Sequence, residues 1–391
     1  MSCGLIKYSC ISSINCFSFS SEKEWMPKVV DSLIEGIRER ALGMVFQPTS
    51  SGVSGFTFIC RIPNRQLSLH LDSSDSFSFI SKWVSKGYAK SEQVFSKIFR
   101  QCKVSAPEIR LDEECLEEKD LLQKFHRLAQ SKKPAMGGAE MYDLMFMNCF
   151  DAMTLDSFIR EGHLKRLSEK DQETFFQKIG QGVILDLMIA NDDRILSYDY
   201  ESQDFLNTLS PKFNFGNIMV EYPFMDNEQS RFLKEVHFID NNSSVYLMDK
   251  KIIDHSDIVE IGSLFGVEEG DNGSGALSSG IEKATDSEKD EFSPDDHSEK
   301  FSEAFKHLTA NREVLASYVC QIFLNEEQEL SSNKVLIKSA LCQGMEEIIR
   351  IIETQEIPDD EETSSPYLSR SMELIRRNIQ FLKEIQYVNE R

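Results

Sequence analysis

The chain of 391 residues carries 43 Lys and Arg against 65 Asp and Glu, a formal charge of −22 at neutral pH. That balance argues against nucleic acid and anionic membrane surfaces as general partners, since both carry the same sign of charge. The length allows two lobes with cores of their own, and no run of about 18 apolar residues exists to span a bilayer.

Nine cysteines are scattered without a CxxC pair or histidines at zinc spacing, so a reducing, cytoplasmic compartment is the simpler expectation. Cys60, Cys149 and Cys320 sit inside apolar runs and read as small buried hydrophobes. Residues 1–25 are rich in Ser and Cys and lack a basic start followed by a long apolar core. They make a poor secretory signal and read as a flexible leader. The alternative is an export address of the injected-effector kind, which would place the protein in a host cytosol.

In residues 26–42, Val29, Val30, Leu33, Ile34 and Ile37 recur at helical spacing, which predicts an amphipathic helix. Three β-rich runs follow, GMVFQP, GFTFICRI and LSLHLD, separated by SSGVSG and by Pro63-Asn64-Arg65. Both separators are turn chemistry, so a small antiparallel sheet is expected. In the first turn, Ser51, Gly52, Ser54 and Gly55 would let the backbone approach a phosphate closely, although any hairpin uses the same residue types. Ser91 is expected to cap a helix with the stripe Val94, Phe95, Ile98 and Phe99. Glu92, with Glu113, Glu114, Glu117 and Glu118, reads as surface charge. PEIRL predicts a strand, residues 113–130 a charged helix, and MYDLMFMNCF a buried strand.

Thr154 is expected to cap a short helix, and Ser168-Glu169-Lys170-Asp171 to open a long one ending near Ala190. Residues 268–300 are poor in aromatics and rich in Gly, Ser and acid, the composition of a disordered acidic linker. From Phe301 amphipathic helices return, the last two separated by EIPDDEETSSP. The domains read as a small lobe and linking strand over 26–150, a large lobe over 151–267, and its helical completion over 301–391.

The polar residues that stand out lie in 184–242. ILDLMIANDDR, NFGNIMVE and VHFIDNN place Asp193, Asn217 and Asp240 each at the edge of an apolar run. Such a trio suits chemistry on ATP, with one carboxylate to orient the attacking hydroxyl and an amide and a second carboxylate to hold magnesium.

In that order, ANDDR, NFGNIM and FID resemble the actin-fragmin kinase catalytic domain. That domain is related in fold to the protein kinases and the phosphoinositide 3/4-kinases. SGVSGFTF, SEQVFSKIFR and MYDLMFMNCF add weaker likeness, to the phosphate turn, helix C and hinge strand, and residues 196–213 look like that family's insert. The resemblance implies an α+β, two-lobed protein-kinase-like fold, with a small antiparallel sheet lobe and a mainly helical lobe. It implies ATP and magnesium as cofactors, with manganese as an alternative ion, and a protein Ser/Thr substrate for which actin or another cytoskeletal protein is the analogy. By the same resemblance Asp193 is the catalytic aspartate and Arg194 supports its loop. Asn217 and Asp240 hold the metal, Asp186 and Asn191 keep the loop in shape, and Met145 and Met147 line the nucleotide pocket.

Kinases place a phosphate-binding lysine on the third strand, where this chain reads Leu67-Ser68-Leu69-His70. That register turns Ser68 to the adenine and puts His70 at the lysine position, a weaker phosphate partner at neutral pH. Lys82, Lys86 or Lys90 reaching in from the following loop, Arg61 on the preceding strand, or a different register are the alternatives. A chain that binds nucleotide poorly and serves as a protein-binding module is the second functional expectation. A phosphoinositide kinase is the third, disfavoured by an acidic, aromatic insert whose only lysine is Lys212.

Overall fold

The computed structural model describes residues 45–48, 55–63, 76–85, 88–111, 123, 126–127, 129–131, 142–197, 206–223, 231–243, 294–354 and 366–389. The expectations for residues 1–25 and 26–42, for Ser51, Gly52 and Ser54, for Ser68 and His70, for most of 113–130 and for 268–293 lie outside them. What is described is α+β, with a small antiparallel sheet and a mainly helical remainder.

The sheet contains β1 (Val45–Pro48), β2 (Gly55–Pro63), β3 (Ser76–Ser85), β4 (Ile109–Leu111) and β5 (Tyr142–Asn148), in the order β1-β2-β3-β5-β4 with every pair antiparallel. The described strand that follows β2 and pairs with it is SFSFISKWVS, while LSLHLD, expected as the third strand, lies outside the described residues. Alternation sorts the side chains. Phe58, Cys60, Phe79, Ser81, Trp83, Leu144 and Phe146 share one face, with Phe58 edge-on to Trp83 at 5.4 Å. Thr57, Ile59, Ile80, Lys82, Val84, Met145 and Met147 share the other.

Helix α1 (Tyr88–Gln101) covers that second face. It begins at Tyr88, so Ser91 is not its cap but a buried residue within it. Its Ala89 packs with Val84, Ile109, Leu111, Met145 and Met147, while its Phe95, Ile98 and Phe99 belong to the core of the helical body. One helix thus joins the two halves.

The helical body is built around α2 (Leu155–Arg160) and α3 (Glu169–Met188), which are capped as the sequence predicts. Thr154 accepts from the Ser157 amide and Ser168 from the Asp171 amide, each satisfying an orphan donor of the first turn. From Ile179 to Ala190 α3 and its end are buried throughout, as befits a helix walled in on all sides. Helices α4 (Pro294–Ala310), α5 (Arg312–Glu326), α6 (Lys334–Thr354) and α7 (Pro366–Asn389) surround it. Helix α4 starts at Pro294, inside the stretch read as linker, because Phe301, Ala304, Phe305 and Leu308 give it an apolar stripe to bury. Gly180 and Gly344 let α3 and α6 touch backbone to backbone, and Gly182 makes room for the Phe238 ring.

Two small ladders complete the body. Strands β6 (Met153–Thr154), β9 (Ile218–Glu221) and β10 (Glu235–Phe238) pair in the order β10-β9-β6, and β7 (Leu196–Ser197) pairs with β8 (Ser210–Pro211). Cys60 and Cys320 are buried as expected, but Cys149 is only half-buried. No helix among the described residues is long and apolar enough to cross a membrane.

Candidate functional site

The end of α3, the start of β9 and the end of β10 converge. Helix α3 closes with Ala190 at φ 54°, and the Asn191 amide reaches back to the Asp186 carbonyl at 2.7 Å. This is the left-handed helix stop that normally uses glycine. Phe213 (φ 54°) and Asp240 (φ 57°) are left-handed too, so three of the four non-glycine residues of that kind among those described lie in these segments. Strain of this sort gathers where a backbone must be aimed.

The loop after Ala190 is fixed from inside. Arg194 is fully buried, and its guanidinium pairs with Asp186, donates to the Ile239 carbonyl at 2.8 Å and to Asn241 Oδ1 at 2.7 Å. The rings of Phe238 and Phe99 lie 5.3 and 5.7 Å from its centre, a cation–π setting. Asn191 donates to Asp186 Oδ1 at 3.1 Å and accepts from the Asp193 amide at 3.1 Å. Burial pushes the Asp186 carboxyl up to about 6, with Arg194 and Asn191 opposing the shift.

Held in this way, Asp193 turns its side chain outward, 56% exposed. Asn214 donates to its Oδ2 at 3.1 Å, and Lys212 Nζ stands 3.5 Å from its Oδ1. Asn217 donates to its carbonyl at 3.4 Å. The Ile239 amide donates to the Asn217 carbonyl at 3.1 Å, which brings Asn217 and Asp240 to the same end of the β9–β10 ladder. Asp193 and Arg194, adjacent in the loop, are therefore assembled with Asn217 and Asp240 from later in the chain.

The decisive cation is Lys82, in the middle of β3. Its ammonium is buried, lies 2.9 Å from Glu92 Oε2 of α1, and also pairs with Asp240 Oδ1. Burial alone would lower its pKa, but Asp240 and Glu92 outweigh that and hold the amine above the usual lysine range. For Asp240 burial works upward and Lys82 prevails, so its carboxyl is depressed. For Glu92 burial prevails and pushes the carboxyl up to about 7, Lys82 opposing. Asp240 is thus the firmly ionised partner, and Glu92 gives up its proton only near neutrality.

Glu92, expected on the surface, is 1% exposed, which corrects that reading. Lys82, expected in a loop, lies within β3, and its signal in the sequence is the alternation of FSFISKWV around it. Met145 and Met147, expected to line a nucleotide pocket, are closed off at 0% and 6% exposure. On the same face Ile59 and Ile80 stay half-buried beside Lys82. Gly55 opens β2. No cluster of three or more His, Cys, Asp or Glu suited to a metal occurs among the described residues. Asp240 and Asn217 offer one carboxylate and one amide oxygen, a set that suits magnesium shared with phosphates and water.

No family model and no curated protein matches this chain.

Proposed function

We propose that the chain is an ATP- and magnesium-dependent phosphotransferase of two-lobed, protein-kinase-like architecture, transferring the γ-phosphate to a protein Ser/Thr hydroxyl. The observation that carries this reading is Lys82, a buried strand lysine held between Glu92 of the sheet-covering helix and Asp240 of the helical body. A lysine so fixed presents its charge to a nucleotide phosphate at a set place. The order of elements supports it as well. A helix falls between the third and fourth strands, and a helical body carrying the acidic loops follows, as the resemblance to the actin-fragmin kinase domain implies.

In this reading Lys82 takes the α and β phosphates, and half-buried Ile59 and Ile80 offer the base an apolar wall. Asp240 and Asn217 would hold the magnesium, which neutralises charge on the phosphates. Asp193 accepts the proton of the acceptor hydroxyl. Its carboxylate is kept in place by Asn214, and Lys212 beside it balances charge. Arg194 fixes the loop from within. Lys82 favours this reading over that of a chain that binds nucleotide poorly and serves as a protein-binding module, which rests on a third strand without such a lysine.

Thermal unfolding with and without millimolar Mg-ATP tests the reading, because a ligand of the folded state alone raises the melting temperature. Wild type should shift and Asp240→Ala should not. A wild type that neither shifts nor transfers labelled phosphate to any of a panel of proteins would overturn it.

A further inference from the structure

We propose that Asn241 is a positioning residue, fastening helix α1 to the segment that carries Asp193 and Arg194 through its hydrogen bond to Ser96. The kinetic consequence rests on the phosphotransferase reading; the mechanical one does not.

Glu92, Ser96 and Phe99 are spaced i, i+4 and i+7, so they line one face of α1. That face makes three different contacts with the site. Glu92 meets Lys82 at 2.9 Å, the Ser96 hydroxyl accepts from Asn241 Nδ2 at 3.1 Å, and the Phe99 ring lies 6.0 Å from that of Phe238. Ser96 and Asn241 are wholly buried.

The amide of Asn241 has no freedom to turn. Its Nδ2 donates to Ser96 Oγ and to the Phe238 carbonyl at 2.8 Å, and its Oδ1 accepts from Arg194 at 2.7 Å. Flipped, it would set an NH₂ against a guanidinium and an oxygen against a carbonyl, losing two of these bonds. Asn241 therefore registers both Ser96 on one side and Arg194 on the other. Asp240, its neighbour, sits at φ 57° and reaches Lys82, whose other partner is again on α1. Helix α1 thus holds Asn241 directly through Ser96, and Asp240 only through Glu92 and Lys82. A shift of α1 reaches Arg194, and through it the backbone of Asp193, without passing through the lysine.

Ser96→Ala removes only the hydroxyl and leaves one of the two N–H groups of the buried Asn241 amide without its acceptor, a real penalty away from water. Hydrogen–deuterium exchange on the full chain reads the outcome. Exchange should rise several-fold in peptides of α1 and, with them, in residues 189–195. Lys97→Ala, on the exposed side of α1, should leave both as in wild type. Unchanged protection of 189–195 in Ser96→Ala overturns the proposal, and so does a rise spread evenly over the whole chain. In a phosphotransfer assay kcat should fall about tenfold with the KM for ATP little changed, the size of one ordinary hydrogen bond. Coupled exchange in a protein without any phosphotransfer would sink the enzymatic reading and leave the coupling standing.

Discussion

Lys82 and Glu92 meet at 2.9 Å with side chains 8% and 1% exposed, and Asp240 completes the group from the helical body. Removing the cation leaves the Glu92 carboxyl buried without its partner, beside an Asp240 whose side chain keeps 31% exposure. Lys82→Met should cost about 3–5 kcal/mol in urea unfolding, the usual penalty for orphaning a buried charge. Adding Glu92→Leu should recover a good part of that loss, since an apolar replacement no longer needs a partner. A Lys82→Met protein as stable as wild type would mean that the three groups do not meet.

The same cluster sets a pH dependence. Burial pushes Glu92 up to about 7 from an ordinary 4.5, so between those values the folded protein keeps a proton that the unfolded chain has lost. This contribution to stability is complete below 4.5 and is lost as the pH rises through 7. Glu92→Gln cannot titrate. The melting temperature of wild type minus that of the variant should decline across this window and level off above it. Asp186, raised in the same direction, is common to both proteins and cancels. A difference that stays flat with pH would show that Glu92 does not hold its proton.

Asp193 and Asp240 should separate cleanly in kinetics. Asp193 is outward-facing, and Lys82 pairs with Glu92 and Asp240 instead, so Asp193→Asn should lower phosphotransfer by about 10² to 10⁴, the range for losing a general base, with ATP affinity within a few-fold. Asp240→Asn should weaken both. Loss of ATP binding in Asp193→Asn would reverse the roles given to the two carboxylates.

The glycines between α3 and α6 give a purely structural test. A Cβ at Gly180 or Gly344 would strike a backbone carbonyl, of Leu341 or Gln177, and backbone cannot step aside as a side chain can. Gly180→Ala and Gly344→Ala should each cost about 1–3 kcal/mol in denaturant unfolding, as overpacking does. Gly216→Ala, whose Cβ would find its nearest neighbour at 3.7 Å, serves as the near-neutral comparison. Equal stability of all three variants would contradict the close approach of the two helices.

Periodicity and capping made much of the framework readable. Ser168 announces α3, and the apolar spacing of GMEEIIRIIE and LSRSMELIRRNIQFLKEI announces α6 and α7. Asp193, Asn217 and Asp240 were visible because each breaks an apolar run where the chain turns. Lys82 and Glu92 were not. A charge inside a strand or on a helix looks solvated until its partner is known, and here one partner is 10 residues away and the other 158. The Ser96–Asn241 contact, 145 residues apart, is hidden for the same reason. Short polar side chains carry no period of their own, and only the packing of α1 on the helical body brings them together.

The β7–β8 pairing has a consequence for how this protein can change. The chain leaves the site at Ser197 and returns at Ser210, which accordingly lie side by side, and Asn214 reaches Asp193 across a sequence separation of 21. The two flanks are already tied by the Lys212 amide to the Ile195 carbonyl and the Asn214 amide to the Arg194 carbonyl, at 3.0 and 2.9 Å. The return to that stem is held from the helical body as well, since Leu209 is buried in its core and the Leu209 carbonyl accepts from the Tyr318 hydroxyl at 2.7 Å. A change between Ser197 and Ser210 that keeps Leu209 should therefore leave the distance from Asn214 to Asp193 as it is.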